Sequence, residues 1–246
     1  MKYTFDVAFL PTEVLKEHDA RIVVDLLRAT TQITTFFDIG GEVLIPVLEI
    51  EDAYKLKEAL GEEWILMGER GGLPPEGFSF GNSPTALSQK CTSRHAIIST
   101  SNGTRAILRA AENCKNVMIG CARNAEAVAN DALECGEKIG IICSGRVGEF
   151  SMEDTCCAGM IVEKLMELAQ TESPEDISLT DGAKAALAIW HTMGSDISVI
   201  AHESAHGHIL TELGFECDID FAGEADRTGT VARLVMSEGV PTLVGR

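Results

Sequence analysis

Between Gly68 and Phe78 the chain sets glycines, two adjacent prolines, two acids and an arginine in a stretch without helical or strand periodicity, closed by Gly81-Asn82-Ser83-Pro84. Pro74 and Pro75 each fix a φ angle and remove a backbone donor, while the glycines allow shapes that other residues resist. So stiff a loop suits a shelf that holds Glu69, Arg70 and Asn82 toward a ligand. Arg28, Arg70, Arg105 and Arg146 each follow an apolar run, in a polar turn. A guanidinium offers a planar fork of donors matched to phosphate, sulfonate and carboxylate oxygens. A single such arginine could equally tie a loop to an acid; four in equivalent turns favour a ligand. Asn102-Gly103-Thr104 adds backbone N–H groups at a helix start, which suits an anion. Asp25, Glu69, Glu149, Glu153 and Asp154 are candidate ligands for a hard cation, because magnesium favours carboxylate, water and phosphate oxygens. Glu153 and Asp154 are adjacent and cannot share one helical face, so one of them is expected to be a cap or a surface charge.

A rival site is His202-Glu203-Ser204-Ala205-His206, an HExxH pattern. On one continuous helix the two imidazoles would share a face and hold zinc, with Glu203 activating water and Glu224 in range as a third ligand. That would make the chain a zinc hydrolase or peptidase. The bland alternative leaves His202 and Glu203 in solvent and His206 alone in a pocket. Other phosphate chemistries lack their motifs: there is no GxxxxGK[ST], no GxGxxG after the first strand, no DxD nucleophile pattern at Asp25 and no CxxxxxR loop.

The elements that must carry these residues alternate. Arg21–Leu27, Val43–Val47, Trp64–Met67, His95–Thr100, Val117–Ile119 and Ile139–Cys143 read as buried strands. Helices are expected from Arg28 toward Phe37, Ile50 to Leu60, a short one capped by Asn82 or Ser83 with Pro84 in its first turn, through Ala111, from Ala125 to Leu133 and onward from a Ser151 cap. Asp181–His191 reads as a further helix, and another should start at Ser195 or Asp196 and run to Leu213. Thr171–Asp176 is polar and reads as a linker. The stretch from Asp218 to Arg246 has no clear assignment. Strand, polar turn and helix in alternation mean an α/β layer architecture, in which ligands gather at the carboxyl ends of parallel strands. Asp25, Glu69, Asn102 and Glu149 all stand at or just past such ends.

The 246 residues suit one domain over 1–246, with two sublobes dividing near 114–125 as a variant. A net charge of -18 argues against nucleic acid and anionic membranes as partners, though not against a small anion in a locally basic pocket. The eight cysteines form no CxxC pair and mostly lie in apolar runs, which fits reduced thiols in the cytoplasm. A homodimer is the default expectation for oligomeric state.

Four blocks together resemble the 2-phosphosulfolactate phosphatase family, the ComB-like proteins: Val23 to Thr31, Gly68 to Pro84, Ser101 to Arg105, and Gly148 to Asp154 with Cys157-Ala158-Gly159. A weaker block is Ser204-Ala205-His206-Gly207 with Leu210. The resemblance implies a ComB-like layered α/β fold, with mainly parallel or mixed sheets covered by helices and two lobes around a cleft as one form of it. It implies a magnesium-dependent phosphatase that converts (2R)-2-phospho-3-sulfolactate to 3-sulfolactate and phosphate, a step in coenzyme M biosynthesis. Carried onto this chain, it implies catalytic roles for Asp25, Arg28, Glu69, Arg105 and His206. Substrate contacts would come from Arg70, Asn82, Asn102, Gly103, Thr104 and Arg146, and metal contacts from Asp25, Glu69, Glu149 and Asp154. The partner is then a small anionic phosphate ester, and the HExxH match is accidental. An anion-binding protein without activity is the third alternative.

Overall fold

Ten strands hydrogen-bond into one mixed sheet in the computed structural model, which describes residues 2–13, 15–169 and 176–246. The proposed linker at Thr171–Asp176 lies, apart from Asp176, outside them. The strands are β1 (Tyr3–Ala8), β2 (Ala20–Val24), β3 (Val43–Pro46), β4 (Trp64–Gly68), β5 (His95–Ser99), β6 (Val117–Gly120), β7 (Lys138–Cys143), β8 (Ile177–Leu179), β9 (Ala232–Ser237) and β10 (Val240–Gly245). Their order across the sheet is β4-β5-β3-β10-β9-β6-β2-β7-β1-β8. β4, β5 and β3 form one parallel block; β6, β2, β7, β1 and β8 form a second. Between them sits the β9–β10 hairpin, antiparallel to β6 on one side and to β3 on the other. Three antiparallel junctions, an odd number, make the two blocks run in opposite senses.

The helices are α1 (Ala29–Asp38), α2 (Ile50–Leu60), α3 (Pro84–Lys90), α4 (Gly103–Ala110), α5 (Ala125–Leu133), α6 (Met152–Leu168), α7 (Asp181–Thr192), α8 (Ile197–Glu203), α9 (Ala205–Glu212) and α10 (Glu216–Ala222). The expected caps are in place: Ser83 Oγ accepts the Ala86 N–H with Pro84 in the first turn, and Ser151 Oγ accepts the Asp154 N–H. α4 touches strands of both blocks, and α1 packs on β6 and on the β9–β10 hairpin. Phe36, Ile33 and Ile107 on these helices share a core with Val23 and Ile142 of one block and with Leu44 and Ile98 of the other. The sheet therefore curls around α1 and α4. Phe36 is fully enclosed there, and losing such a ring costs about 3–5 kcal/mol. The outer face carries α2 against Leu66 and Ile97 at one end and α5, α6 and α7 against β2, β7 and β1 at the other.

Two expectations change. The unassigned tail supplies α10 and the central hairpin, and β1 pairs between β7 and β8 where the sequence suggested no strand. The helix expected from Asp196 to Leu213 is two helices. Asp196 does cap the first, accepting from Ser198 and Val199, but Ser204 is extended at φ -68°, ψ 153° and caps α9 through the Gly207 N–H.

Candidate active site

The curl of the sheet brings the turns after β2, β4, β5 and β7 together around a cavity of about 140 Å³. Asp25 follows β2, and its Oδ1 accepts the Ala29 N–H at 3.0 Å. Thr30 Oγ1 accepts the Asp25 N–H and donates back to the Asp25 carbonyl, so this turn is held by its own side chains. Burial pushes the Asp25 carboxyl above its usual range and the Glu69 charge adds to that, while the Ala29 N–H and the His206 ring act against it. α4 starts against this carboxylate. A Cβ on Gly103 would stand 2.4 Å from the Ala29 Cβ and 2.7 Å from Asp25 Oδ2, so only glycine lets the helix approach so closely.

Glu69 leaves β4 and clamps two loops, with Oε2 accepting the Gly72 N–H at 2.9 Å and Oε1 the Ser101 N–H at 2.8 Å. Arg28 is buried and held on three sides. Its Nη1 donates to Asp218 Oδ2 at 2.6 Å, its Nη2 donates to the Gly72 carbonyl at 2.9 Å, and its guanidinium lies 4.2 Å from the centre of the Phe215 ring. Asn82, Asn102, Arg146 and His206 complete the wall. Asn82 Oδ1 is buried and accepts no hydrogen bond from the described residues. Asn102 Oδ1 accepts the Val147 N–H at 3.0 Å and so ties the β5 turn to the β7 turn.

The remaining expected residues take other positions. Arg70 spends its guanidinium on the Glu69 and Leu48 carbonyls and on Ser99 Oγ, which stiffens the shelf. Thr104 Oγ1 accepts the Thr100 N–H at 2.9 Å and is buried. Arg105 is exposed on α4 and is absent from the cavity wall. Glu149 is exposed in a tight turn with Arg146 and faces an adjoining cavity. Asp154 is buried and turned inward, accepting from the Leu26 N–H at 2.8 Å, the Ser144 hydroxyl at 3.0 Å and the Gly145 N–H at 3.2 Å. Burial, then Asp25 and Glu153, push its carboxyl well above the ordinary value. Its neighbour Glu153 approaches His206 Nδ1 at 3.4 Å. Burial would raise the Glu153 carboxyl, yet His206, the Glu153 backbone and Ser151 together outweigh it and the group sits below its usual value.

The break at Ser204 corrects the zinc geometry. His202 lies in the last turn of α8 and pairs with Asp220 at 2.8 Å, whereas His206 lies in the first turn of α9 and faces Glu153. Glu224 is spent on Arg123 at 2.5 Å. The HExxH residues therefore do not share one helical face.

Asp218 escaped the sequence reading. It is 1% exposed and, besides Arg28, accepts from Ser83 Oγ at 2.8 Å and the Thr85 N–H at 3.3 Å, binding α10 to both the turn after β2 and the end of the shelf. It lies among acids in the unassigned tail, where no motif or period marks it.

Residues 8–237 match the 2-phosphosulpholactate phosphatase family. The chain belongs to that family. Relatives of the 2-phosphosulfolactate phosphatase family include three proteins each named a probable 2-phosphosulfolactate phosphatase. The one from Clostridium novyi is 38% identical over 206 residues, 83% of this chain and 84% of the relative. Those from Deinococcus radiodurans and Thermus thermophilus are 35% and 36% identical, covering 91% and 100% of this chain and 90% and 96% of theirs. The family match spans all the turns that build the cavity.

Proposed function

We propose that this chain is a phosphoric monoester hydrolase that cleaves (2R)-2-phospho-3-sulfolactate to 3-sulfolactate and phosphate, with Mg²⁺ as its cofactor. The observation that carries the reading is the meeting of Asp25, Arg28 and Glu69, from turns far apart in sequence, on one cavity wall in a chain of this family.

The donor set fits a hard cation. Asp25 and Glu69 offer carboxylate oxygens, and the buried Asn82 Oδ1 has no other partner among the described residues. Among the described residues no three His, Cys, Asp or Glu side chains form a ready cage. That is compatible with Mg²⁺, which commonly takes one or two carboxylates and completes its shell with water and substrate phosphate. When bound, the ion would neutralise phosphate charge and draw the ester to the carboxylates of an acidic protein.

The protein's own groups divide the remaining work. Arg28, fixed by Asp218, Gly72 and Phe215, presents its guanidinium to the equatorial phosphoryl oxygens without needing to reorganise. Asp25, its carboxyl raised above its ordinary value by burial, takes the proton of the attacking water at a carboxylate oxygen. His206 gives a proton to the departing alkoxide. Arg146 and Asn102 orient the remaining anionic substituents.

The test is phosphate release from phosphosulfolactate with Mg²⁺, with EDTA and with Zn²⁺, beside a peptide substrate. The expected result is release that EDTA abolishes and Mg²⁺ restores, with no peptide cleavage. Peptide cleavage, or no release under any condition, overturns the reading.

A further inference from the structure

A second cavity of about 330 Å³ adjoins the first and shares Arg146 and His206 with it. Phe150, Met152, Met193 and Ile200 give it an apolar lining, with the exposed Glu149 and Glu203 beside them. One carboxylate in its wall differs from these two. Glu153 is 3% exposed, and among the described residues its one ion-pair partner is His206, whose Nδ1 lies 3.4 Å away.

A buried carboxylate is costly unless its charge is met. Burial pushes the Glu153 carboxyl up, and His206, the Glu153 backbone and Ser151 bring it below its usual value. A pair that served only to join α6 to α9 would gain little over apolar contact of the same shape, because desolvation offsets the attraction. This pair ends on a ring that also lines the first cavity. Glu153 itself is absent from that wall, so it can reach the phosphoryl group only through His206.

The two helices differ in rigidity. Glu153 lies in the first turn of α6, a helix of 17 residues capped by Ser151 and packed into the core through Ile161 and Leu165. His206 lies in the first turn of the short α9, started by the extended Ser204. The carboxylate is therefore the fixed member and the imidazole the one that is aimed. The hydrogen bond made by one ring nitrogen sets the state of the other. With Nδ1 on Glu153, Nε2 has no partner among the described residues and is left for the cavity.

We infer that Glu153 is a positioning residue for the hydrolysis: it accepts the Nδ1 proton of His206, fixes the ring and its tautomer, and aims Nε2 at the ester oxygen. This rests on the phosphatase reading above, in which His206 protonates the leaving group. The step balances. The Nε2 proton passes to the ester oxygen as its bond to phosphorus breaks, and the ring keeps its Nδ1 proton on Glu153. Exchange with solvent then removes the Asp25 proton and restores Nε2–H between turnovers.

The test is a double-mutant cycle read by phosphate release from 2-phospho-3-sulfolactate. Glu153→Gln keeps the shape and removes the charge. It should lower kcat by about 10- to 100-fold with KM within about twofold, since contacts to the bound ester remain. In a His206→Asn background the same substitution should change kcat by less than about twofold, because the group it acts through is gone. A loss that persists in that background, or an unchanged kcat for Glu153→Gln alone, overturns the inference. A second readout uses the wild-type protein with isotope-labelled histidine. Long-range proton–nitrogen NMR spectra, with the His206 signals assigned by their loss in His206→Asn, should show a proton on Nδ1. A bare Nδ1 overturns the inference even where no Glu153 variant folds. Phosphate release with either adverse result leaves the phosphatase reading standing, whereas no release from the wild-type protein overturns the two together.

Discussion

The two adjoining cavities are built on opposite principles. In the first, Asp25, Arg28 and Glu69 are nearly buried, and each is anchored by named partners from its own or a neighbouring turn. In the second, Met193 and Phe150 contribute surface without such anchors, and Glu203 and Glu149 stand in solvent. A group that must meet a transition state has to be placed before the substrate arrives, whereas a surface that carries no reacting group can adjust. Mutations should therefore hurt in proportion to the anchoring they remove.

The largest effect should come from Asp25→Asn, which leaves the shape and removes the proton acceptor. Phosphate release should fall by about 10²–10⁴-fold in kcat. Activity within tenfold of wild type would break the contrast at its strongest point. Next comes Asp218→Ala, which strands a buried guanidinium and should cost about 3–5 kcal/mol in denaturant unfolding. It should also lower kcat although Asp218 does not line the cavity.

Stability against pH sharpens the same contrast. Burial would raise the Asp6 carboxyl, but bonds from His18, Thr180 and Lys16 outweigh it and hold the group far below its usual range. Its contribution is therefore present above the ordinary carboxylate pKa of about 3.9 and is lost as acid protonates it. Asp25, held above its ordinary value, has the reverse sign. Its contribution is present below that ordinary value and is lost as pH rises through the raised one. Thermal melts should show Asp6→Asn destabilising mainly near neutrality, and Asp25→Asn gaining on wild type there relative to acid. Matching pH trends in the two variants would contradict this. The smallest effect belongs to the second cavity: Glu203→Ala should keep kcat/KM for phosphosulfolactate within about twofold, the ordinary consequence of removing an exposed charge. A loss of several orders of magnitude would return the zinc reading to contention.

Much of the first cavity was legible because its carriers are local. Asp25, Glu69 and Asn102 each follow a strand whose apolar run is plain in the sequence, and the stiffness of the shelf follows from Pro74 and Pro75. What the sequence hid was long-range. Arg105 and Arg28 occupy similar turns, yet one is exposed and the other buried, because only Arg28 meets Asp218 from α10. The break at Ser204 was equally hidden, since serine between Glu203 and Ala205 fits a helix interior. It is fixed by packing: a Cβ at Gly207 would lie 2.0 Å from the Ala201 carbonyl, so the chain turns where glycine permits it. The tail was unreadable because its strands pair with β6 and β3, which lie more than a hundred residues earlier.

That hairpin sets an order of events during synthesis. Both parallel blocks can form their internal ladders while the ribosome is still translating, but no strand of one is linked through the sheet to a strand of the other until residues 232–245 emerge. The nascent protein is then two half-sheets with open flanks, joined by apolar packing around α1 and α4 and by turn contacts such as that of Asn102 with Val147, and the sheet is completed only when the last strands slot between them.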